Sequence, residues 1–309
     1  MKVAILGAGS FGVALAVQMS RREHEIVLWE YLPEHAELMR TERISHHLSQ
    51  VRIPNGVGIS SSMEEVLRGA EIVLIAVPSD AVEATIEKAK PYFHDADIVM
   101  CSKGFASGSR LLSEVLSHII PNRIFYLYGP TLALELAKGE LSAMVLAGGE
   151  GKEKIKEKIE SKNLIIELSE DYIGLQVGAA LKNVVTIFVG IAEGAGLGQN
   201  TQAFIFTRGI DDIKKIGISL GANPDTFIGL SCVGDLTLHS RNRNLGIELG
   251  KGRALSEILA QLDSMPEGVG TLKNAHALRL RLGIDVPVIE NLYAIVFENK
   301  SIDIAIHSI

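Results

Sequence analysis

Residues 1–16, MKVAILGAGSFGVALA, decide the fold. Positions 3–6 are a short apolar run of strand character, and positions 10–21 carry helical patterning. Between them Gly7, Gly9 and Gly12 form GAGSFG, a G-x-G-x-x-G that directly follows a strand and opens a helix. That context turns a common glycine-rich turn into a dinucleotide-binding signature. Gly7 permits the tight turn, Gly9 leaves room for a pyrophosphate against the backbone, and Gly12 lets helix and strand pack closely. The helix start offers unpaired N–H groups and a positive dipole end to phosphate.

Working outward, positions 26–29 read as a second strand. It ends in Leu28-Trp29-Glu30-Tyr31, with Glu30 18 positions after Gly12. That is close to the expected place for an acid that binds the ribose diol. A carboxylate there repels a 2′-phosphate and no Arg follows it, which predicts NAD in preference to NADP. Further apolar runs at 72–77, 98–101, 124–127 and 143–146 alternate with helical patterns at 79–90, 108–118 and 131–138. Near-continuous apolar strands alternating with helices predict an α/β, Rossmann-type parallel sheet covered on both faces. Open parallel sheets bind ligands outside the carboxyl ends of their strands, which draws attention to 78–80 and to Lys103. Residues 151–162, GKEKIKEKIESK, read as a solvated surface helix with Ile155 and Ile159 turned inward.

Beyond about residue 170 the punctuation changes. Long helical patterns run over 170–195, 199–220, 224–230, 242–250, 254–262, 270–282 and 287–297, with Pro224, Pro266 and Pro287 where helices begin or part. The chain of 309 residues is therefore expected to hold two domains, 1–170 for the dinucleotide and an all-α domain, 171–309, for substrate and catalysis. Hydrophobic residues at 47% supply two cores, and a formal charge of -7 argues against a general nucleic-acid binder while leaving room for a small anionic ligand in a local basic pocket. Cys101 and Cys232 make neither a zinc site nor a disulfide framework, so a reduced, cytoplasmic setting is expected. The short apolar run at the N-terminus meets glycines too soon for a signal peptide. Adjacent His46 and His47 read as solvated loop residues, and no metal is expected.

Residues 172–192 are long and apolar enough to suggest a membrane span, yet Lys182 and Asn183 sit at their centre. A charge there costs roughly 2.5–3.5 kcal/mol in lipid. A buried core helix is expected instead, with no integral membrane segment, and its lysine then needs a reason. Burial lowers a lysine's pKa, so Lys182 can give or take a proton near neutral pH. Asp235 is a candidate partner, Arg241 a forked donor for phosphate, and Asn242 an added amide donor. Singly, each reads as an internal ion pair, a helix cap or a basic surface. Jointly, beside a dinucleotide fold, they suggest reduction of a phosphorylated ketone. A β-hydroxyacid dehydrogenase, needing a carboxylate site, and a non-catalytic NAD sensor, which would lack Lys182 or Asp235, are the alternatives.

In order along the chain stand GAGSFGVALA (7–16), SKGF (102–105), GPTLALELA (129–137), ALKNVV (180–185), TRG (207–209), GLSCVGDL (229–236) and SRNRNLG (240–246). The chain resembles the bacterial-type NAD(P)-dependent glycerol-3-phosphate dehydrogenases in all of them. The resemblance implies reversible reduction of dihydroxyacetone phosphate to sn-glycerol 3-phosphate, the backbone of phospholipid synthesis, with NAD or NADP as cofactor and a homodimer as the assembly. It implies Lys182 as catalytic acid/base, with Asp235 and Lys103 beside it. Cofactor contacts are implied at Ser10, Phe11, Lys103, Ala133, Arg241 and Glu267, in addition to Gly7, Gly9, Gly12 and Glu30. Substrate contacts are implied at Lys103, Gly129, Thr131, Lys182, Asp235, Ser240, Arg241 and Asn242. The chain departs from the family's pattern at Tyr128, Cys232 and Met265; Tyr31 stands where NADP-using members often have Arg.

Overall fold

The computed structural model describes residues 1–262 and 266–309, so Met265 lies outside the described residues. The chain divides into two compact units, one of residues 1–102 and 112–172, the other of 103–111 and 173–309.

The first unit runs β1 (Lys2–Leu6), α1 (Ser10–Met19), β2 (Glu25–Trp29), α2 (Pro33–Glu42), β3 (Val57–Ser60), α3 (Met63–Leu67), β4 (Ile72–Ile75), α4 (Val82–Ala89), β5 (Asp97–Met100), α5 (Leu112–Ile119), β6 (Ile124–Tyr128), α6 (Ala133–Lys138), β7 (Ser142–Gly148), α7 (Lys152–Ile159) and β8 (Leu164–Ser169). The eight strands lie in the order β3-β2-β1-β4-β5-β6-β7-β8. β1 to β6 are parallel, with Leu6 level with Trp29 on one side and Ile75 on the other. This is the expected Rossmann-like sheet, and its strand order reverses between β1 and β4, where such sheets open a crevice for ligand. β7 runs antiparallel to β6, and β8 is parallel to β7. The short α6 joins β6 to β7 across residues 129–141.

Two strands escaped the apolar patterning. β3 is four residues containing Gly58, and β8 carries the exposed Ile165 and Glu167 in its middle. The expected helix at 108–118 starts only at Leu112, because residues 103–111 leave the sheet and pack with the other unit.

The second unit is helical: α8 (Tyr172–Gly194), α9 (Gln199–Ser219), α10 (Arg241–Gly250), α11 (Leu255–Leu259), α12 (Glu267–Leu282), α13 (Pro287–Glu298) and α14 (Ile302–Ile306). The 224–230 pattern resolves into a 3₁₀ turn, Pro224–Ile228, followed by a π-type turn, Leu230–Gly234. α8 is the axis of this unit. It is long and apolar enough to cross a membrane, and residues 174–192 are buried inside the protein. α10 crosses α8 at backbone contact. A Cβ on Gly246 would stand 2.1 Å from the Ile187 carbonyl oxygen, and one on Gly194 2.0 Å from that of Ile247, so neither position admits a side chain.

Candidate functional site

At the carboxyl end of β1 the glycine loop meets its structural requirements. Gly7 adopts φ +114° with a would-be Cβ 2.8 Å from the Ala76 backbone, and a Cβ on Gly12 would lie 1.8 Å from the Gly7 carbonyl oxygen. Gly9 differs: its Cβ would meet nothing within 4 Å, so this face of the backbone is open to a ligand. Gly9 also caps α1 without a side-chain hydrogen bond, and no acid stands in the first turn. Open amides, the dipole's positive end and a bare backbone face are what a pyrophosphate needs. The residues present therefore fit a dinucleotide. Ser10 donates its hydroxyl to the His47 carbonyl (2.7 Å), and Phe11 packs against the sheet's core. Glu30, buried at the end of β2, accepts from the Leu32 amide (3.0 Å), which fixes the carboxylate's orientation.

Gly129, Thr131 and Ala133 follow β6 in the same unit. A Cβ on Gly129 would stand 2.6 Å from the Ala143 carbonyl oxygen, so the strand pair closes there only with glycine. Thr131 reaches the Gly129 carbonyl at 3.5 Å, and Ala133 begins α6. Tyr128, the departure from the family pattern, is fully buried and donates to the Ser102 carbonyl (3.0 Å).

The helical unit holds the charged cluster. Lys182, at the middle of α8, donates to Asp235 Oδ1 at 2.9 Å, and Lys103 donates to Asp235 Oδ2 at 2.6 Å. One carboxylate thus bridges two ammonium groups, with side-chain exposures of 7% for Lys182, 2% for Asp235 and 15% for Lys103. Burial holds the Lys182 pKa below its ordinary value; the Lys103 charge pushes the same way, and Asp235 and Glu267 pull against both. A π-type turn delivers Asp235, and such turns recur at functional sites because they redirect a single side chain. Cys232, in the same turn, packs against Gly178, where a Cβ would come within 2.9 Å of its own. Burial pushes its thiol up to about 12, so it is inert core.

The phosphate candidates gather at the head of α10. Ser240 caps that helix without a side-chain bond, and its Oγ is buried with no hydrogen-bond partner. A buried orphan hydroxyl at a helix N-terminus is an unmet demand for an acceptor. Arg241 is exposed beside it. Arg243 is held by Glu193 (2.7 Å) and Gln202 (2.9 Å). Asn242 is also committed: it donates to Asn183 Oδ1 (2.9 Å) and accepts from the Gly268 amide (3.1 Å). It ties α8, α10 and α12 together, and one N–H of its amide remains for a ligand. Asn183 was not foreseen as a site residue; its signal was a second polar residue beside Lys182 in an apolar helix. Glu267 starts α12 exposed, within electrostatic reach of Lys103, Lys182 and Arg241. Three cations thus face two carboxylates, a balance suited to an anionic substrate. Outside both groups, the His46 and His47 rings lie 3.8 Å apart in an exposed turn.

Comparison with known proteins agrees with this chemistry. Residues 2–154 match the family described as NAD-dependent glycerol-3-phosphate dehydrogenase N-terminus, and residues 171–307 its C-terminus. A glycerol-3-phosphate dehydrogenase [NAD(P)+] of Chlorobium phaeobacteroides is 36% identical over 320 residues, covering 99% of this chain and 96% of that protein. The same-named protein of a Thermoanaerobacter species is 36% identical over 318 residues, covering 100% and 96%. The crystal structure of glycerol-3-phosphate dehydrogenase from Coxiella burnetii superposes with a TM-score of 0.95 at 29% identity, covering 99% of this chain and 97% of that one. The chain belongs to the NAD-dependent glycerol-3-phosphate dehydrogenase family of NAD(P)-dependent oxidoreductases.

Proposed function

We propose that the chain reduces dihydroxyacetone phosphate reversibly to sn-glycerol 3-phosphate, that it prefers NADH, and that its product feeds phospholipid synthesis in the cytoplasm. We take residues 1–170 as the dinucleotide half and 171–309 as the substrate half, and a homodimer as the working assembly. The observation that carries the reading is the buried Lys182–Asp235–Lys103 bridge in the same unit as the orphan Ser240 hydroxyl.

Held at Gly7, Gly9, Gly12 and the start of α1, a nicotinamide dinucleotide would supply the hydride chemistry of the reaction. The chain's own residues do the rest. As the ketone is reduced, negative charge grows on its oxygen; the Lys182 ammonium stabilises that charge and donates the proton. In oxidation the same nitrogen, as free amine, takes the hydroxyl proton. A lysine left at its ordinary pKa would be a poor base, and burial with Lys103 nearby corrects that. Asp235 keeps the amine aimed and partly charged. Ser240 Oγ, the N-terminal end of α10 and Arg241 take the phosphate, which fixes the ketone relative to Lys182. Gly129 and Thr131 add substrate contacts; Ser10, Phe11, Ala133, Arg241 and Glu267 add cofactor contacts; and Glu30 binds the ribose diol.

The test is oxidation of NADH and NADPH, side by side, with dihydroxyacetone phosphate and with unphosphorylated dihydroxyacetone. Turnover of the phosphate ester is expected, with NADH the better donor and the unphosphorylated ketone slow. Equal rates for the two ketones would remove the phosphate site from the reading, and a preference for NADPH would remove the role given to Glu30.

A further inference from the structure

Lys103 does not sit on a strand or helix. It heads residues 103–111, and that segment needs a reason to hold its shape. Phe105 and Leu111 are buried in the helical unit's core and pin it near both ends. The Ala106 amide bonds to the Arg110 carbonyl at 2.9 Å, closing the loop between them. At its tip two successive residues take left-handed backbone, Gly108 at φ +69° and Ser109 at φ +56°. For serine that conformation costs energy and persists only where the surroundings impose it. Two residues of α12 do so. Arg281 donates to the Gly108 carbonyl (3.1 Å) and to the Ser109 carbonyl (3.2 Å), and Ser109 Oγ donates to Asn274 Oδ1 (3.0 Å). A guanidinium forked over two consecutive carbonyls fixes their mutual orientation in a way a single point contact cannot.

We propose that Arg281, assisted by Asn274, is a positioning residue for the dehydrogenase reaction: it clamps the 103–111 loop so that Lys103 stays on Asp235. This rests on the role given above to Lys103. Arg281 touches none of the reacting groups and acts through the loop alone.

The consequence is electrostatic. The charged and titratable groups facing Lys182 are Lys103 on the loop, Asp235 after the π-type turn, Glu267 at the head of α12 and the inert Cys232 thiol. Of these only Lys103 is a second cation, and it favours the neutral amine. If the loop loosens, Lys103 leaves Asp235, and that carboxylate serves Lys182 alone. Lys182 then holds its proton more tightly, so the rising limb of the oxidation pH profile moves to higher pH.

The experiment compares Lys103→Met, Arg281→Met, Asn274→Ala and the Lys103→Met/Arg281→Met double variant. It reads kcat, KM and the pH profile of glycerol 3-phosphate oxidation, with circular dichroism melting as a control. Arg281 is exposed, so its variant is expected to fold normally. Lys103→Met should move the rising limb upward by roughly half a pH unit or more and cut kcat/KM about tenfold or more. Arg281→Met should move it in the same direction by less, and Asn274→Ala by less again. The double variant should match Lys103→Met, because an effect that passes through Lys103 vanishes when Lys103 is gone. Arg281→Lys, which keeps the charge and loses the fork, should behave like Arg281→Met. An Arg281→Met profile superimposable on wild type, or additive losses in the double variant, would overturn the proposal. A silent Lys103→Met would instead overturn the role of Lys103 itself.

Discussion

Asp235→Asn is the most searching single substitution, because that carboxylate is shared. The change is nearly isosteric, yet it withdraws the anion from two ammonium groups 2.9 and 2.6 Å away. Breaking a buried ion pair from one side costs roughly 3–5 kcal/mol, since the surviving charge keeps its desolvation penalty without its partner. Here two surviving charges, Lys182 and Lys103, also repel each other. The molecule relieves this most cheaply by letting Lys182 lose its proton. Asp235 is the strongest influence that raises the Lys182 pKa, so removing it sends that pKa lower still. Two readouts follow. Ketone reduction at neutral pH should fall by about 10²–10⁴-fold, the range assigned to a positioned acid, because the ammonium form is depleted and no longer aimed. The rising limb of alcohol oxidation should move to lower pH, opposite in sign to the shift expected on loosening Lys103. Stopped-flow and steady-state assays in both directions across pH 5–10, with urea unfolding followed by circular dichroism, measure all three quantities. A variant that keeps reduction within threefold of wild type and an unmoved pH limb would falsify the shared-carboxylate account.

Other expectations are simpler. Gly12→Ala places a methyl 1.8 Å from the Gly7 carbonyl oxygen; calorimetric titration should show NADH binding lost, with stability lowered by about 1–3 kcal/mol or more. Arg241→Ala, at an exposed residue, should at saturating NADH raise KM for dihydroxyacetone phosphate at least tenfold and affect the weak turnover of dihydroxyacetone far less; equal losses for both ketones would refute its role at the phosphate. Asp212, buried in α9, accepts from the Val288 and Ile289 amides (2.8 and 3.2 Å) and so caps α13, while burial pushes its carboxyl up to about 7. A raised acid stabilises when protonated: its contribution is complete below about pH 4 and is lost as pH rises through about 7, by up to about 4 kcal/mol for a shift of this size. Asp212→Asn, which still accepts both amides, should flatten the stability profile over that window and be the more stable protein at pH 8. A parallel profile for the two proteins would refute this.

How much of this was legible in the linear chain depends on how local each signal is. The glycine loop is local: Gly7, Gly9 and Gly12 constrain one another within six residues, and nothing distant is needed to read them. The buried lysine was legible as an anomaly, a charge in the middle of α8 that neither lipid nor an apolar core tolerates without a partner. Its partner was named from a turn 53 residues away, but the bridging to Lys103 was not, because that contact depends on a loop leaving the sheet after Ser102. The pattern at 108–118 read as helix from the start, since Ser107-Gly108-Ser109-Arg110 has no unambiguous stop. Only the left-handed tip held from α12 shows that these residues serve a different element. Asn242 shows the converse. Its residue type suits a phosphate donor, and its surroundings commit most of its amide to Asn183 and Gly268. The β7 reversal likewise escapes apolar periodicity, which carries no information on strand direction. Local rules therefore located the two chemical ends of the protein. What joins Lys103 to Lys182, and Asn242 to α8, is fixed by helix contacts between glycines and by carbonyls held from more than 150 residues away. Such contacts leave no periodic trace, and for that reason Arg281, an unremarkable arginine near the end of an amphipathic helix, is where substitution should tell most about how the site is kept in order.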